Sequence, residues 1–289
     1  MDQATVAFLK KAFREFYFHS AQKVESPTRI EEREFGYVPF NGGMIRHLSF
    51  ESQGELIAEL MKQVPSSVYC SNATYSFPTL PMEEKGWQGA ELIFDIDADS
   101  IPTSCKARHN RWYCQNCYRE GRLPRPAGCP YCKKATTTEV HWTCESCLAA
   151  TKEHTFRLMD FLTKDFGVLE KKVRVYFSGS RGYHINIQDE RFEALDSQAR
   201  AEIANYVRGT GLDLRTGLNT TPADLRTESH GWTRRVRLSL SSSELTPSTS
   251  RARIAQRVLN QTVHANIALI DQSVTTDVHR IFRMPGTLH

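Results

Sequence analysis

The sequence predicts a mixed α/β fold, helices and strands interleaved along the chain, with one small inserted module. Three observations carry that prediction. Segments with apolar residues at helical spacing interleave with short apolar runs of strand type. One such run, "ELIFDIDADS" (91–100), finishes in aspartates at positions 95, 97 and 99. Seven of the eight cysteines fall between residues 105 and 147.

Taken in order, residues 5–19 predict an amphipathic helix, with Val6, Leu9, Phe13 and Phe16 at helical spacing. "REFGYVPFNGGMIRHLSF" (33–50) predicts a hairpin turning at Asn41-Gly42-Gly43. A second helix is expected around 54–64, carrying Leu56, Ile57, Leu60 and Met61 on one side. The "ELIFDID" strand follows, then the cysteine-rich segment. "LAATKEHTFRLMDFLTKDFG" (148–167) predicts a long helix stopped by Gly167. "VRVYFS" and "HINI" predict two strands joined by a short glycine-containing stretch, Gly179 to Tyr183. Further helices are expected near 191–208 and 249–263, Ser- and Thr-rich loops over 215–230 and 241–249, and a short strand at "IALID" (267–271).

The composition excludes several classes. Of 289 residues, 40% are hydrophobic and 24% charged, as in soluble globular proteins. No apolar run approaches the roughly 20 residues of a membrane helix, and "MDQATVAFLKKAF" lacks a signal-peptide layout, so no membrane association and an intracellular location are expected. The net charge of +4 is too small to argue for nucleic acid by itself. The basic clusters "WTRRVR" (232–237) and "SRARIAQR" (250–257) are suggestive, but as isolated features they read as solvated faces. Eight cysteines in an intracellular chain point to metal rather than to disulfides.

The aspartates pose an electrostatic question, because like charges near a core are costly unless something cationic neutralises them. On a strand, Leu92, Phe94 and Ile96 would face the core while Asp95 and Asp97 share the opposite face. One or two divalent cations could then bridge both carboxylates. An isolated Asp-x-Asp reads as a polar turn, and Asp99 is expected to be such a residue, where the chain leaves the sheet.

In "VYFSGSRGYHINI" (175–187), Gly179 and Gly182 permit a tight turn, and parity lets Ser178, Arg181 and His184 converge on one polar surface. A hydroxyl, a guanidinium and an imidazole around glycines suit a triphosphate. "IALIDQSVTTDVHRIFRMPGTLH" adds Asp271, Asp277, His279, Arg280, Arg283 and His289. Position alone does not choose between Asp271 and Asp277 as a third carboxylate. Cys-x-x-Cys pairs at 114/117, 129/132 and 144/147 join Cys105 and His109, eight ligands for about two tetrahedral Zn²⁺. His141 could replace His109, and Cys70 reads as a lone buried thiol.

These blocks together resemble the catalytic small subunit of archaeal and eukaryotic DNA primases, the archaeo-eukaryotic primase superfamily. The resemblance rests on the "DID" dyad, the "SGSRGYH" turn and the final "D…HRIFRMPGTLH". It is supported by "REFGYVPFNGGMIRHLSF" and "EHTFRLMDFLTKDFG", and spans residues 5 to 289. It implies a primase-type core over 1–289, central mixed β-sheets flanked by helices, with a zinc-binding module inserted at 105–147. Asp95, Asp97 and Asp271 would be catalytic and hold Mg²⁺ or Mn²⁺. Asp271 is selected over Asp277 because the family's third carboxylate precedes the terminal histidine by eighteen residues, as here. Arg46, Ser178, Arg181, His184, Arg283 and His289 would bind the nucleotide, with Glu34 a weaker correspondence.

The resemblance also favours Cys105, His109, Cys144 and Cys147 as the family-like zinc site, with Cys114, Cys117, Cys129 and Cys132 forming a ribbon inside it. A sequential pairing, Cys105 to Cys117 and then the remaining four, stays open. The implied activity is DNA-directed nucleotidyl transfer, making short RNA primers on single-stranded DNA for replication. Ribonucleoside triphosphates would be substrates, with deoxyribonucleoside triphosphates left open. A primase large subunit would be the heterodimer partner, in cytoplasm or nucleus according to source. The alternatives are a primase-polymerase of repair or plasmid type, and a zinc-dependent nucleic-acid-binding protein with a decayed centre. Two departures stand out. Ser180 replaces a first arginine common in the family turn, and the chain stops at His289 inside the last motif, which implies a fragment of a longer protein.

Overall fold

Asp2 opens the first helix: its carboxylate accepts the Thr5 N–H at 2.9 Å, an N-cap in front of α1 (Gln3–Ser20). This computed structural model describes residues 2–212, 231–239, 261 and 263–289. The chain divides into two compact units, residues 1–93, 186–201 and 273–289 in the first, and 94–185 and 202–272 in the second.

In the first unit, β1 (Arg33–Val38) and β2 (Ile45–Leu48) form the expected antiparallel hairpin, with Phe35 opposite Leu48 and Tyr37 opposite Ile45. Ser52 caps α2 (Gln53–Gln63) by accepting the Glu55 N–H. Two strands then appear where the sequence predicts none, β3 (Ser67–Tyr75) and β4 (Trp87–Ala90). β3 is buried from Cys70 to Tyr75, polar residues included, so it shows no alternation to read. Most of its polar side chains are held by partners: Ser71 Oγ accepts the Glu34 N–H and donates to the Ala73 carbonyl, and Asn72 Nδ2 donates to the Glu91 carbonyl, while Asn72 Oδ1 is buried without a hydrogen bond. β11 (Ile281–Arg283), from the last sequence block, completes the sheet, whose order is β11-β3-β1-β2 with β4 on β3. Tyr17, Phe35, Leu56, Leu60, Val68 and Met284 bury together against it.

A second sheet has the order β5-β10-β9, from β5 (Leu92–Asp97), β9 (Val173–Phe177) and β10 (Gly182–Ile187). The division between units falls within β5 and β10. In the second unit, α3 (Lys106–His109) leads into a small third sheet, β7-β6-β8. Its strands are β6 (Arg111–Cys114), β7 (Glu120–Arg122) and β8 (Thr137–Val140). α4 (Glu145–Asp160) starts on the last cysteine pair, with Cys144 as its N-cap residue. It passes into a π-helical turn (Phe161–Asp165) before Gly167, which is left-handed as a stop residue requires (φ 61°).

Three expectations need correction. The helix expected near 191–208 is a 3₁₀ turn at Glu190–Phe192 and then α5 (Ser197–Arg208), which Asp196 caps through the Ala199 N–H. "WTRRVR" lies in α6 (Gly231–Ser239), and its Arg235 is not solvated: it is 3% exposed, pairs with Asp160 and Asp165, and lies over the Phe161 ring. "IALID" is buried at Ala268 and Ile270 yet forms no strand. Its backbone is claimed piecemeal: Ala268 N–H donates to the Val207 carbonyl, Leu269 N–H to His154 Nδ1, and Asp271 N–H to the Asp95 carbonyl. The expected loops at 215–230 and 241–249, the "SRARIAQR" cluster, and most of the helix at 249–263 lie outside the described residues. A short α7 (Gln272–Thr276) follows Asp271.

Candidate active site

β5 has the expected parity: Leu92, Phe94 and Ile96 are fully buried, while Asp95 and Asp97 are half-buried on the other face. The strand carries its carboxylates up to the turn between β9 and β10. That turn is closed by the Ser178 N–H donating to the Gly182 carbonyl at 2.9 Å and the Gly182 N–H donating to Ser178 Oγ at 3.1 Å. Position 182 must be glycine, because a Cβ there would meet the Ile96 carbonyl oxygen at 2.2 Å. The turn is tied to β5 again where the Ala98 N–H donates to the Arg181 carbonyl.

Two side chains stand against these carboxylates, and the Arg181 guanidinium answers the charge question. Arg181 Nε lies 2.9 Å from Asp97 Oδ2, and its other arm lies 2.5 Å from Asp99 Oδ2. His184 Nε2 lies 3.4 Å from Asp95 Oδ1. Asp99 therefore does more than turn the chain, although Asp97 Oδ1 does accept its N–H in the turn. Asp271 is tied to β5 through the backbone, by the 2.9 Å bond from its N–H to the Asp95 carbonyl. Among the described residues, no set containing Asp95, Asp97 and Asp271 draws its ligand oxygens within 4.8 Å of one another. Asp277 belongs to the first unit, where it accepts the His279 N–H at 3.0 Å in a turn.

The remaining nucleotide candidates, Arg46, Arg283 and His289, also belong to the first unit. Arg46 is gripped through Nε and one terminal nitrogen by Glu34, at 3.0 and 3.2 Å. Glu34 is completely buried and also faces the buried Lys85, whose Nζ lies 3.5 Å away and donates to the Pro78 carbonyl. Burial pulls Lys85 below the usual lysine range, with Glu34 opposing. Burial, then the Glu34 charge, pushes the Tyr75 hydroxyl up. Lys85 is missing from the sequence reading because nothing in "EEKGW" marks it as internal.

All eight cysteines are free, and seven of them gather with His109 into two sets. One is Cys105, His109, Cys144 and Cys147, the other Cys114, Cys117, Cys129 and Cys132, each with all ligand atoms within 4.8 Å of one another. This is the nested arrangement, not the sequential one. The Cys105–Cys147, Cys114–Cys132 and Cys117–Cys129 sulfurs stand 3.4, 3.6 and 3.6 Å apart. A tetrahedron with Zn–S near 2.3 Å has edges of about 3.8 Å, so the donor sets fit Zn²⁺ in type, number and spacing. Hydrogen bonding to Thr103 and then His109 pulls Cys105 down to about 6, and Thr136 does the same for Cys114. His141 is outside both sets, near Asn110 and Glu139. Cys70 is the expected lone thiol, pushed by burial to about 12.

The fold and site define a class: a mixed α/β protein with a strand-end carboxylate pair beside a basic glycine turn, carrying two zinc-type ligand sets. Residues 138–289 match the family described as DNA primase small subunit. The chain is 37% identical to the DNA primase small subunit PriS of Cenarchaeum symbiosum (strain A), covering 100% of this chain and 80% of that protein. It is 34% identical to PriS of Nitrosopumilus maritimus (strain SCM1), with the same coverage. Identity to PriS of Thermoplasma acidophilum is 35%, over 96% of this chain and 74% of that protein. The chain belongs to the DNA primase small subunit family, as the motifs imply. No helix among the described residues is long and apolar enough to cross a membrane.

Proposed function

We propose that the chain is the catalytic subunit of a DNA primase, making short RNA primers by template-directed nucleotidyl transfer on single-stranded DNA. Residues 1–289 would form its catalytic domain, with 105–147 as an inserted zinc-binding module and a large subunit as partner. An intracellular role in replication follows from that activity. The observation that carries the reading is the carboxylate face of β5, with Asp271 tied by its backbone to Asp95, with Arg181 supplying a cationic partner to Asp97 and with the His184 imidazole 3.4 Å from Asp95.

Asp95, Asp97 and Asp271 are the oxygen donors that would hold Mg²⁺ or Mn²⁺. Such ions, when bound, offset the negative charge of the triphosphate and favour ionisation of the attacking hydroxyl. The chain's own side chains orient the nucleotide. Arg181 already presents two arms to two carboxylates, and a fork of that shape suits phosphate oxygens equally well. Ser178 Oγ accepts the Gly182 N–H, which leaves its O–H to donate to a phosphate. Arg46, held by Glu34, and Arg283 and His289 are proposed as further nucleotide contacts. The two cysteine sets would each be closed by four protein ligands, so their zinc is structural.

Primer synthesis on single-stranded DNA with labelled ribonucleotides, with and without Mn²⁺ and a large subunit, tests the proposal. Products begun without a primer are expected. Extension of pre-existing ends alone, with deoxynucleotides preferred, would replace this reading with a primase-polymerase of repair type.

A further inference from the structure

The inserted ribbon exposes side chains that neither zinc nor the carboxylate site requires. Its two knuckles, Cys114 to Cys117 and Cys129 to Cys132, are built alike. In each, the residue after the second cysteine returns its N–H to the carbonyl of the first, Tyr118 to Cys114 and Lys133 to Cys129, both at 2.9 Å. Both residues are left-handed, with φ of 57° and 63°. Glycine occupies that conformation without strain, whereas a side chain costs about 1 kcal/mol or more. This chain places a tyrosine and a lysine there and leaves both exposed, Tyr118 at 80%. Strain accepted at an exposed position, with no packing gained, points to a use for the side chain.

The two tips share one face. The Arg119 guanidinium lies over the Tyr131 ring at 5.0 Å, and Lys134 Nζ donates to Asn116 Oδ1 at 3.0 Å, each contact joining one knuckle to the other. Tyr131 is itself 58% exposed. Among the described residues, no carboxylate is ion-paired with Arg119, Lys133 or Lys134. The charge of the chain is concentrated here: residues 105–147 carry eight Lys and Arg against three Glu, a formal +5, while the whole chain is +4. Seven thiolates around two Zn²⁺ would offset three of those charges, but Cys105, Cys114, Cys129 and Cys147 are buried and the cations are not.

We propose that the ribbon tip formed by Tyr118, Arg119, Tyr131, Lys133 and Lys134 binds single-stranded nucleic acid. Bases stack on the two tyrosines and phosphates pair with the three cations. A duplex hides its base faces, and an acidic protein would use the cations but not two exposed rings, so a single strand fits best. The inference takes from the primase reading only the identity of that strand as template.

The test is anisotropy of a labelled single-stranded oligothymidylate with the full zinc-loaded chain, without nucleotides or Mg²⁺. In a Tyr118→Gly/Lys133→Gly variant the left-handed strain is relieved, so zinc content and thermal stability are expected to hold or improve. Affinity is expected to fall roughly tenfold, and similarly for Tyr131→Leu. Changing Arg119, Lys133 and Lys134 together to Gln should reduce the slope of log affinity against log salt by about 2. Native affinity in the tyrosine variants would overturn the proposal, as would loss from the cation changes alone. An Asp95→Ala chain should bind normally. If primer synthesis is absent while ribbon-dependent binding persists, the catalytic reading fails and this surface stands.

Discussion

Arg181 Nε and Asp97 Oδ2 stand 2.9 Å apart, so a proposed phosphate ligand is paired with a proposed metal ligand. Asp99 holds the other arm of the same guanidinium at 2.5 Å. Arg181 is 43% exposed and Asp97 28%, a half-wet pair whose net value is small, up to about 1 kcal/mol. It is therefore weak enough to be exchanged, for metal on the aspartate and for phosphate on the arginine.

That exchange gives the first prediction. Arg181→Ala removes a competing cation, so Mn²⁺ should bind up to about fivefold more tightly in the absence of nucleotide. Nucleotide incorporation should nevertheless be lost. Electron paramagnetic resonance titration of Mn²⁺ measures the first effect, and unchanged or weaker binding would mean that Arg181 does not compete with metal at Asp97.

The second prediction separates Asp271 from Asp277. The first donates its N–H to the Asp95 carbonyl, whereas the second accepts the His279 N–H in a turn of the other unit. Asp271→Asn is expected to abolish incorporation as completely as Asp95→Ala or Asp97→Ala, with circular dichroism unchanged. Asp277→Asn should cost only a local hydrogen bond, about 1 kcal/mol of stability. An inactive Asp277 variant beside an active Asp271 variant would reverse the assignment.

What the sequence made legible follows from periodicity. β5 and its carboxylates could be read because one face is apolar and the other polar, and the turn at 178–184 because glycine and parity both constrain it. β3 could not, since its buried half includes the polar residues Ser71, Asn72 and Thr74, and Ser71 and Asn72 bond to Glu34 and Glu91, which lie far along the chain. "IALI" shows the opposite failure: an apolar run of strand length whose backbone is bonded to Val207, His154 and Asp95 instead of to a ladder. Ligand types in the ribbon were legible from cysteine spacing, whereas the nested choice of sets was favoured by the family resemblance and not by spacing, because it depends on which distant pairs β6, β7 and β8 bring together. The roles of Asp99 and Lys85 arise only from tertiary contact with Arg181 and Glu34.

The third prediction uses the nested sets. Protein prepared without chelator should contain about two Zn²⁺ per chain. A Cys105→Ser/Cys147→Ser variant damages one set twice and should retain about one zinc. Under a sequential pairing the same two changes would strike both sites. Elemental analysis of this variant beside Cys114→Ser/Cys132→Ser, with limited proteolysis reporting the fold, distinguishes the two. Loss of both metals from either variant would contradict the nested sets.

The fourth prediction concerns the buried pair behind Arg46. Glu34 and Lys85 both have fully buried side chains, and among the described residues Glu34 is the carboxylate paired with Lys85, while it also grips Arg46 through two bonds. Glu34→Gln removes the charge and keeps the shape, leaving Lys85 buried beside a neutral group. Breaking such a pair should cost about 3 kcal/mol. The cost should depend on pH with a definite sign. Burial already holds Lys85 below its ordinary 10.5, and without Glu34 it falls further, so the folded chain binds fewer protons than the unfolded one across that alkaline window. Stability of the variant should therefore rise with pH towards 10.5 relative to the native chain, as the lysine becomes neutral in both states. Urea unfolding midpoints measured across that range test it, and a variant whose deficit stays constant or grows with pH would show that Lys85 does not depend on Glu34. A second readout separates structure from function. If Glu34 positions Arg46, the variant should raise the KM for nucleotide more than it lowers kcat, even at a pH where its fold is secure.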